Sequence, residues 1–311
     1  MRGLLLSSFL ALSGVLAAQA GQDEKATAED PASFRLPAER EFAAGTEPVD
    51  DRQIIRNLEK AAAELIAAGR TVKMASLIAG LQKRKCALSL TAPPKEVILE
   101  GFYGQRKASV LVFAGYYKCS KCGKYHVATA SGYAITKSGA CVTNYHVVNA
   151  PSWETLVATT SDGRVLPVKE VLAASLADDV AILQLDGQDL TPVAFAVDAP
   201  VGSRVRVINH PDGRFFVYTE GVISRYFTAH RKDGDAAMMA ITADFAKGSS
   251  GSPVFNECGA VVGMVASTAS IYYNAKEGHK EDLQMVVKEC VPASSILKLI
   301  ENSPQRHRGT E

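Results

Sequence analysis

The chain has 311 residues, of which 47% are hydrophobic and 22% charged, and a formal net charge of +1. That is ordinary globular composition, long enough for a sizeable core and more than one structural unit. The near-zero balance offers no basic surface for nucleic acid and no cationic segment for an anionic membrane, so neither is expected as a partner. In chain order, residues 1–20 read as an export signal: Arg2, then the mostly apolar run Gly3 to Leu16, then Ala18-Gln19-Ala20 as a small-x-small cleavage site. The run is short for a bilayer span, so a membrane anchor is the weaker alternative. No stable membrane insertion is expected after cleavage near Gly21. The mature chain is then periplasmic or secreted, where its six cysteines are free to form disulfides.

Residues 21–50 are polar and read as a flexible linker. Residues 51–107 read as a helical N-terminal region. Asp51 is a candidate cap, and Ile54, Ile55, Leu58, Ala62, Leu65 and Ile66 repeat at helical spacing up to Gly69. A second stripe follows at Met74, Leu77, Ile78 and Leu81. The two predict a helical hairpin packed on the main domain or on another subunit, which makes an oligomer one expectation. From about Ala108 short β-rich runs alternate with turns: Ser109–Tyr117, His126–Thr136, Arg164–Glu170, Val180–Leu185, Val205–Asn209, Phe215–Ser224, Met238–Thr242 and Ala260–Ser267. Such spacing predicts an all-β sandwich or barrel. Residues 301–311 form a polar tail.

The residues that carry chemistry begin with Gly248-Ser249-Ser250-Gly251-Ser252-Pro253. A serine between glycines on a tight loop can expose its hydroxyl, and the N–H groups of Gly248 and Ser250 are candidates for an oxyanion hole. Val142 to Val148 ends a β-rich run at His146, and Asp179-Val180-Ala181-Ile182-Leu183 opens a strand with an aspartate. A serine hydroxyl needs a base, and the base needs a partner that fixes its tautomer. The chain order is histidine, aspartate, serine. Successive strand side chains face opposite ways, so only one of Asp178 and Asp179 can face His146; Asp178 falls one position early, in the polar turn after Leu176-Ala177, and Asp179 is the expected partner.

Here the chain resembles the trypsin-like peptidases of the Deg/HtrA branch. The resemblance rests on Ser131-Gly132-Tyr133-Ala134-Ile135, Gly139 and Thr143–Val148, on Asp162-Gly163-Arg164 with Asp179–Leu183, on Val201-Gly202 through Asn209-His210-Pro211 and Gly221–Ser224, and on Gly248–Pro253 with Gly263. It spans roughly residues 108–298. It implies an all-β fold of two six-stranded antiparallel barrels, about 108–195 and 196–293, within a peptidase domain at 108–300. It also implies protein or peptide substrates and a catalytic triad of His146, Asp179 and Ser250, with no cofactor needed for catalysis. A catalytically silent scaffold of the same fold is the alternative. Four features depart from the family: Ser249 where digestive proteases carry an aspartate, Ser252 in place of a glycine, no room for a PDZ domain after Ile300, and the segment Cys119 to His126.

By the same resemblance Asp244, six residues before Ser250, and Thr268 are candidate specificity-pocket residues; the two readings of Asp244 are a selector of basic residues and a carboxylate paired on the surface. The expectation is a small or medium apolar residue before the cut. Cys119 and Cys122 with His126 read as half of a zinc knuckle, a redox pair, or a local disulfide. Cys141 is a poor partner for them, since the run between them spans about 30 Å. Cys258 and Cys290 are expected to form a disulfide by the pairing of Ala260–Ser267 with Gln284–Glu289. Cys86 and Cys141 remain unassigned.

Overall fold

The computed structural model describes residues 46–302 apart from 198, 277 and 278. The expected signal segment and most of the expected linker and tail lie outside the described residues. Among the described residues five α-helices, one short 3-10 helix (Pro211–Gly213) and fourteen strands follow in order. The first part holds α1 (Asp51–Ala67), α2 (Met74–Gly80), β1 (Cys86–Leu88) and α3 (Phe102–Lys107). Then come β2 (Val110–Lys118), β3 (Tyr125–Ala134), β4 (Ala140–Thr143), α4 (Tyr145–Val148), β5 (Thr155–Thr159), β6 (Val165–Ser175) and β7 (Val180–Leu185). The last part is β8 (Arg204–Asn209), β9 (Val217–Arg231), β10 (Gly234–Ile241), β11 (Pro253–Phe255), β12 (Val261–Lys276), β13 (His279–Pro292), α5 (Ala293–Leu297) and β14 (Ile300–Asn302).

Strands β2–β7 close into one barrel in the order β2-β3-β4-β7-β6-β5, and β8–β13 into a second in the order β10-β13-β12-β11-β8-β9. Every neighbouring pair is antiparallel. Closure removes the unpaired strand edges that an open sheet would expose. Alternate residues then face opposite sides. In β2, Leu111 and Phe113 join Cys141, Leu156, Val168 and Leu183 in one cluster fed by all six strands of the first barrel. Their neighbours Val110, Val112 and Ala114 join a second cluster that draws on both barrels, with Phe195, Phe255 and Val261. A third cluster around Val207, Ile223, Met239 and Val265 fills the second barrel.

The N-terminal helices pack on this body. Leu58 and Ala62 of α1 are buried in the cluster shared by the barrels, and Met74 and Leu77 of α2 in the first-barrel cluster. α1 packs against β2, β3, β5 and β6, while α2 packs against β6 and α4, so the two helices seat separately on the barrel. Of the two seats expected for the apolar stripes, the main domain is the one these helices occupy. Asp51 is not the cap. Asp50 is, accepting the Gln53 N–H at 2.9 Å, and Asp51 in the first turn accepts the N–H of Phe215 at 2.9 Å. Among the described residues no helix is long and apolar enough to cross a membrane.

The expected bridge between Cys258 and Cys290 is not formed; both are free thiols. Cys290 sits in mid-ladder opposite Val265 and Met239, buried in the second barrel. Cys258 lies in the turn beyond Val261, where its thiol donates to the Lys95 carbonyl. The four strand steps from Val261 to Val265 alone span about 13 Å, more than a disulfide tolerates between Cα atoms. Cys141 is buried with its thiol on the Leu183 carbonyl, and burial pushes its pKa well up. Cys86, half-buried, donates to the Leu299 carbonyl, and burial pushes its thiol up to about 11.

Candidate active site

His146 comes from the short helix α4 that follows β4, and Asp179 from the turn before β7. The two strands are paired, Thr143 opposite Ala181, which brings their ends together. The Nδ1 of His146 lies 2.9 Å from Oδ2 and 3.1 Å from Oδ1 of Asp179, and its backbone N–H donates to the same carboxylate at 3.0 Å. An acid at Nδ1 puts the proton there and leaves Nε2 bare. The carboxylate is mostly covered while the imidazole is half exposed. Asp179 is not a strand residue: its φ is 56°, and its carbonyl accepts from Asn144 Nδ2 at 2.9 Å. Aspartate is one of the few residues that visits the left-handed region readily, so this turn suits it. Asp178 faces elsewhere, accepting from the Ser175 hydroxyl at 2.7 Å.

Ser250 lies on the turn between β10 and β11, in the second barrel. That turn is bolted to the first barrel by Ser131 of β3, whose N–H donates to the Ser250 carbonyl at 2.8 Å and whose hydroxyl donates to the Gly248 carbonyl at 3.0 Å. Thr143, three residues before His146, donates to the Ser131 carbonyl at 2.8 Å. The approach is so close that a Cβ at Gly251 would fall 2.0 Å from the Ser131 oxygen, at a φ of 92°. Only glycine satisfies both conditions. Along the turn the N–H of Ser249 bonds Ala246 and that of Gly251 bonds Val265. Among the described residues the N–H groups of Gly248 and Ser250 have no acceptor, which leaves those two donors available to a ligand oxygen. The Ser250 hydroxyl donates to the Ala266 carbonyl at 3.2 Å.

Ser249 is buried, donating to Asn209 Oδ1 at 2.9 Å. This neutral hydrogen bond anchors the turn where a buried carboxylate would need a cation. Next to Asn209, His210 is also fully buried. Its Nδ1 accepts the Phe216 N–H at 3.0 Å, and Nε2 lies 3.3 Å from the Leu111 carbonyl, which fixes the neutral tautomer with the proton on Nε2. Burial pushes its pKa from the ordinary 6.5 down to about 3. Between those values the unfolded chain binds the proton and the folded chain does not. Stability from this group is therefore complete above pH 6.5 and is lost as pH falls toward 3. We expect melting temperature to fall across that window, and His210→Gln to flatten the slope there. An unchanged slope in thermal melts at pH 7, 5 and 4 contradicts this. Ser131, Asn144, Asn209 and His210 were all inside the motifs quoted above, but nothing in the sequence marked them as supports of the site.

Beside Ser250 is a cavity of about 180 Å³, lined by Phe245, Ala246, Val265, Ala266 and Thr268 among others. Asp244 does not line it. Its carboxylate points to solvent and pairs with Lys288 of β13 at 2.7 Å. The sequence offset from the serine counts residues along a loop and does not reveal which way the loop turns each side chain. Among the described residues no carboxylate lines the pocket.

Cys119, Cys122 and His126 do come together, at the tip of the β2–β3 hairpin, with their ligand atoms all within 4.8 Å of one another. Cys119 and Cys122 are free thiols, not a disulfide.

Two closed barrels, with a histidine–aspartate pair on one and a glycine-flanked serine turn bolted to it from the other, agree with the arrangement expected from the sequence. Residues 130–264 match the family model of the trypsin-like peptidase domain, and over part of its length the chain is similar to DegP-like and Do-like proteases. It is 31% identical over 136 residues to a probable periplasmic serine endoprotease DegP-like of Halomonas elongata, a match covering 43% of this chain and 28% of the relative. It is 34% identical over 144 residues to the protein of the same name from Rhizobium meliloti (44% and 27%). It is 32% identical over 144 residues to protease Do-like 1, chloroplastic, of Arabidopsis thaliana (44% and 32%). The chain thus spans less than a third of the length of these relatives.

Proposed function

We propose that this chain is an exported serine endopeptidase that cleaves protein substrates through an acyl-enzyme. The observation that carries the reading is the pairing of His146 Nδ1 with Asp179 on the same barrel whose Ser131 holds the Ser250 turn. In this reading Ser250 rotates from Ala266 to His146 and attacks the substrate carbonyl. His146 takes the hydroxyl proton and returns it to the leaving amine, and Asp179 stabilises the imidazolium without itself being protonated. The developing oxyanion is received by the N–H groups of Gly248 and Ser250. Water then releases the acyl group by the reverse use of His146. The periplasmic names of the relatives support export, as does the apolar leader of the sequence.

The test is covalent labelling with a fluorophosphonate probe, expected at Ser250 and abolished by Ser250→Ala. A chain that stays unlabelled and cleaves no unfolded protein is instead a scaffold of this fold. For specificity, a small pocket with no lining carboxylate, walled by Lys247 as well as Phe245, Val265 and Thr268, favours a small or medium apolar residue before the cut over Lys or Arg. Asp244→Ala should then alter the ranking of peptide substrates by about threefold or less, the range of a surface substitution. A collapse of cleavage after Lys or Arg in that variant overturns the pocket assignment.

A further inference from the structure

The hairpin joining β2 to β3 is built like a metal knuckle. The N–H of Cys119 donates to the Lys124 carbonyl at 2.8 Å and that of Gly123 to the Cys119 carbonyl at 2.9 Å. Gly123 has a φ of 69° with open space around it, so its role there is conformational. Across the hairpin, His126 places Nε2 3.2 Å from the Cys122 sulfur. Its other nitrogen, Nδ1, lies 3.4 Å from Oε1 of Glu59, a residue of α1. Nothing in the proposed peptidase chemistry uses these four side chains.

We propose that Cys119, Cys122 and His126 bind one zinc ion, with His126 ligating through Nε2 and Glu59 holding its Nδ1–H from behind. Two thiolates and an imidazole are the donor set of zinc rather than of magnesium or calcium. Tetrahedral bonds of the usual lengths set sulfur–sulfur and sulfur–nitrogen separations of about 3.6–3.8 Å. The observed cluster reaches that with side-chain movements of roughly 1 Å or less. A carboxylate behind a ligating histidine fixes its tautomer and raises its basicity, which is the service Glu59 performs. Water takes the fourth position, and binding releases the two thiol protons.

The ion ties α1 to the hairpin tip. It also sits at one end of β3, the strand whose residue Ser131, five positions and about 17 Å along, holds the Ser250 turn. The function is that of a staple on the domain.

The test uses the full chain, purified with thiols reduced, loaded with Zn²⁺ and desalted. Elemental analysis is expected to give one zinc per chain in the parent and under a tenth of that in Cys119→Ser/Cys122→Ser. Co²⁺ should replace zinc and show thiolate charge-transfer and tetrahedral d–d bands that the double variant lacks. Glu59→Gln should keep the stoichiometry at saturating zinc but bind it about tenfold more weakly, as outer carboxylates do elsewhere. Chelation should lower the melting temperature of the parent and leave the double variant unmoved; far-ultraviolet circular dichroism checks that both are folded. A parent that binds no zinc with all thiols free, or one recovered from its exported form with a Cys119–Cys122 disulfide, overturns the proposal. None of these readouts depends on proteolysis, so failure here and failure of the peptidase reading are separate results.

Discussion

Ser250→Ala is expected to reduce proteolysis of an unfolded substrate such as casein by on the order of 10⁶, the loss typical of a nucleophile acting within a triad. The protein should nonetheless fold normally. The side chain gives up one hydrogen bond, to the Ala266 carbonyl, a contact that lies partly in solvent, so the cost should stay near 1 kcal/mol or below. The contacts that hold the turn are made by backbone: the Ser250 carbonyl with Ser131 and the Gly248 carbonyl with the Ser131 hydroxyl. Alanine preserves these and both candidate oxyanion donors. Turnover within tenfold of the parent in a correctly folded variant would remove Ser250 from the mechanism.

Asp179→Asn is expected to cost about 10⁴ in kcat/KM on a peptide substrate, with melting temperature little changed. The carboxylate accepts both the ring and the backbone N–H of His146. An amide can present its NH₂ to the ring instead, which drives the imidazole to the tautomer whose Nε2 is protonated and useless as a base. Asp178→Asn should change activity by less than about tenfold, since that side chain holds only Ser175 in the preceding bend. The two variants share charge, size and neighbourhood, so the contrast isolates orientation. Equal losses would mean that the local negative charge, not the hydrogen bond to His146, is what matters.

The pair also shows what the sequence could and could not disclose. Asp179 was singled out on strand alternation, whereas the reason it faces His146 is a left-handed turn residue ahead of β7. β7 itself, at Val180–Leu185, was readable because every residue is apolar except one and both ends are polar. β5 and β11 were not, being five and three residues long and buried throughout, without alternation to betray them. β9 and β12 run well past the segments expected for them, because their outer halves are exposed ladders whose polarity resembles loop. Bulges at Val265/Ser267 and Ile271/Tyr272 further break the period of two. The error over Cys258 and Cys290 has the same origin: pairing the right strands says little about register. Asp244 finds its partner in Lys288, forty-four residues away on β13, a relation invisible to local reading.

One small element governs how this body can be handled as a piece of protein. β1, ahead of the barrels, runs parallel to β14, after them, with Cys86 opposite Ile300 and Leu88 opposite Asn302. The clasp means that a recombinant fragment cut to the family match at 130–264 would lose β2 from one barrel and β13 from the other, leaving two open sheets. Trimming only to residue 108 would spare both barrels yet strip Leu58, Ala62 and Leu77 from their apolar seats. The smallest segment that can be expressed with its core intact therefore begins near Asp50 and runs through Asn302.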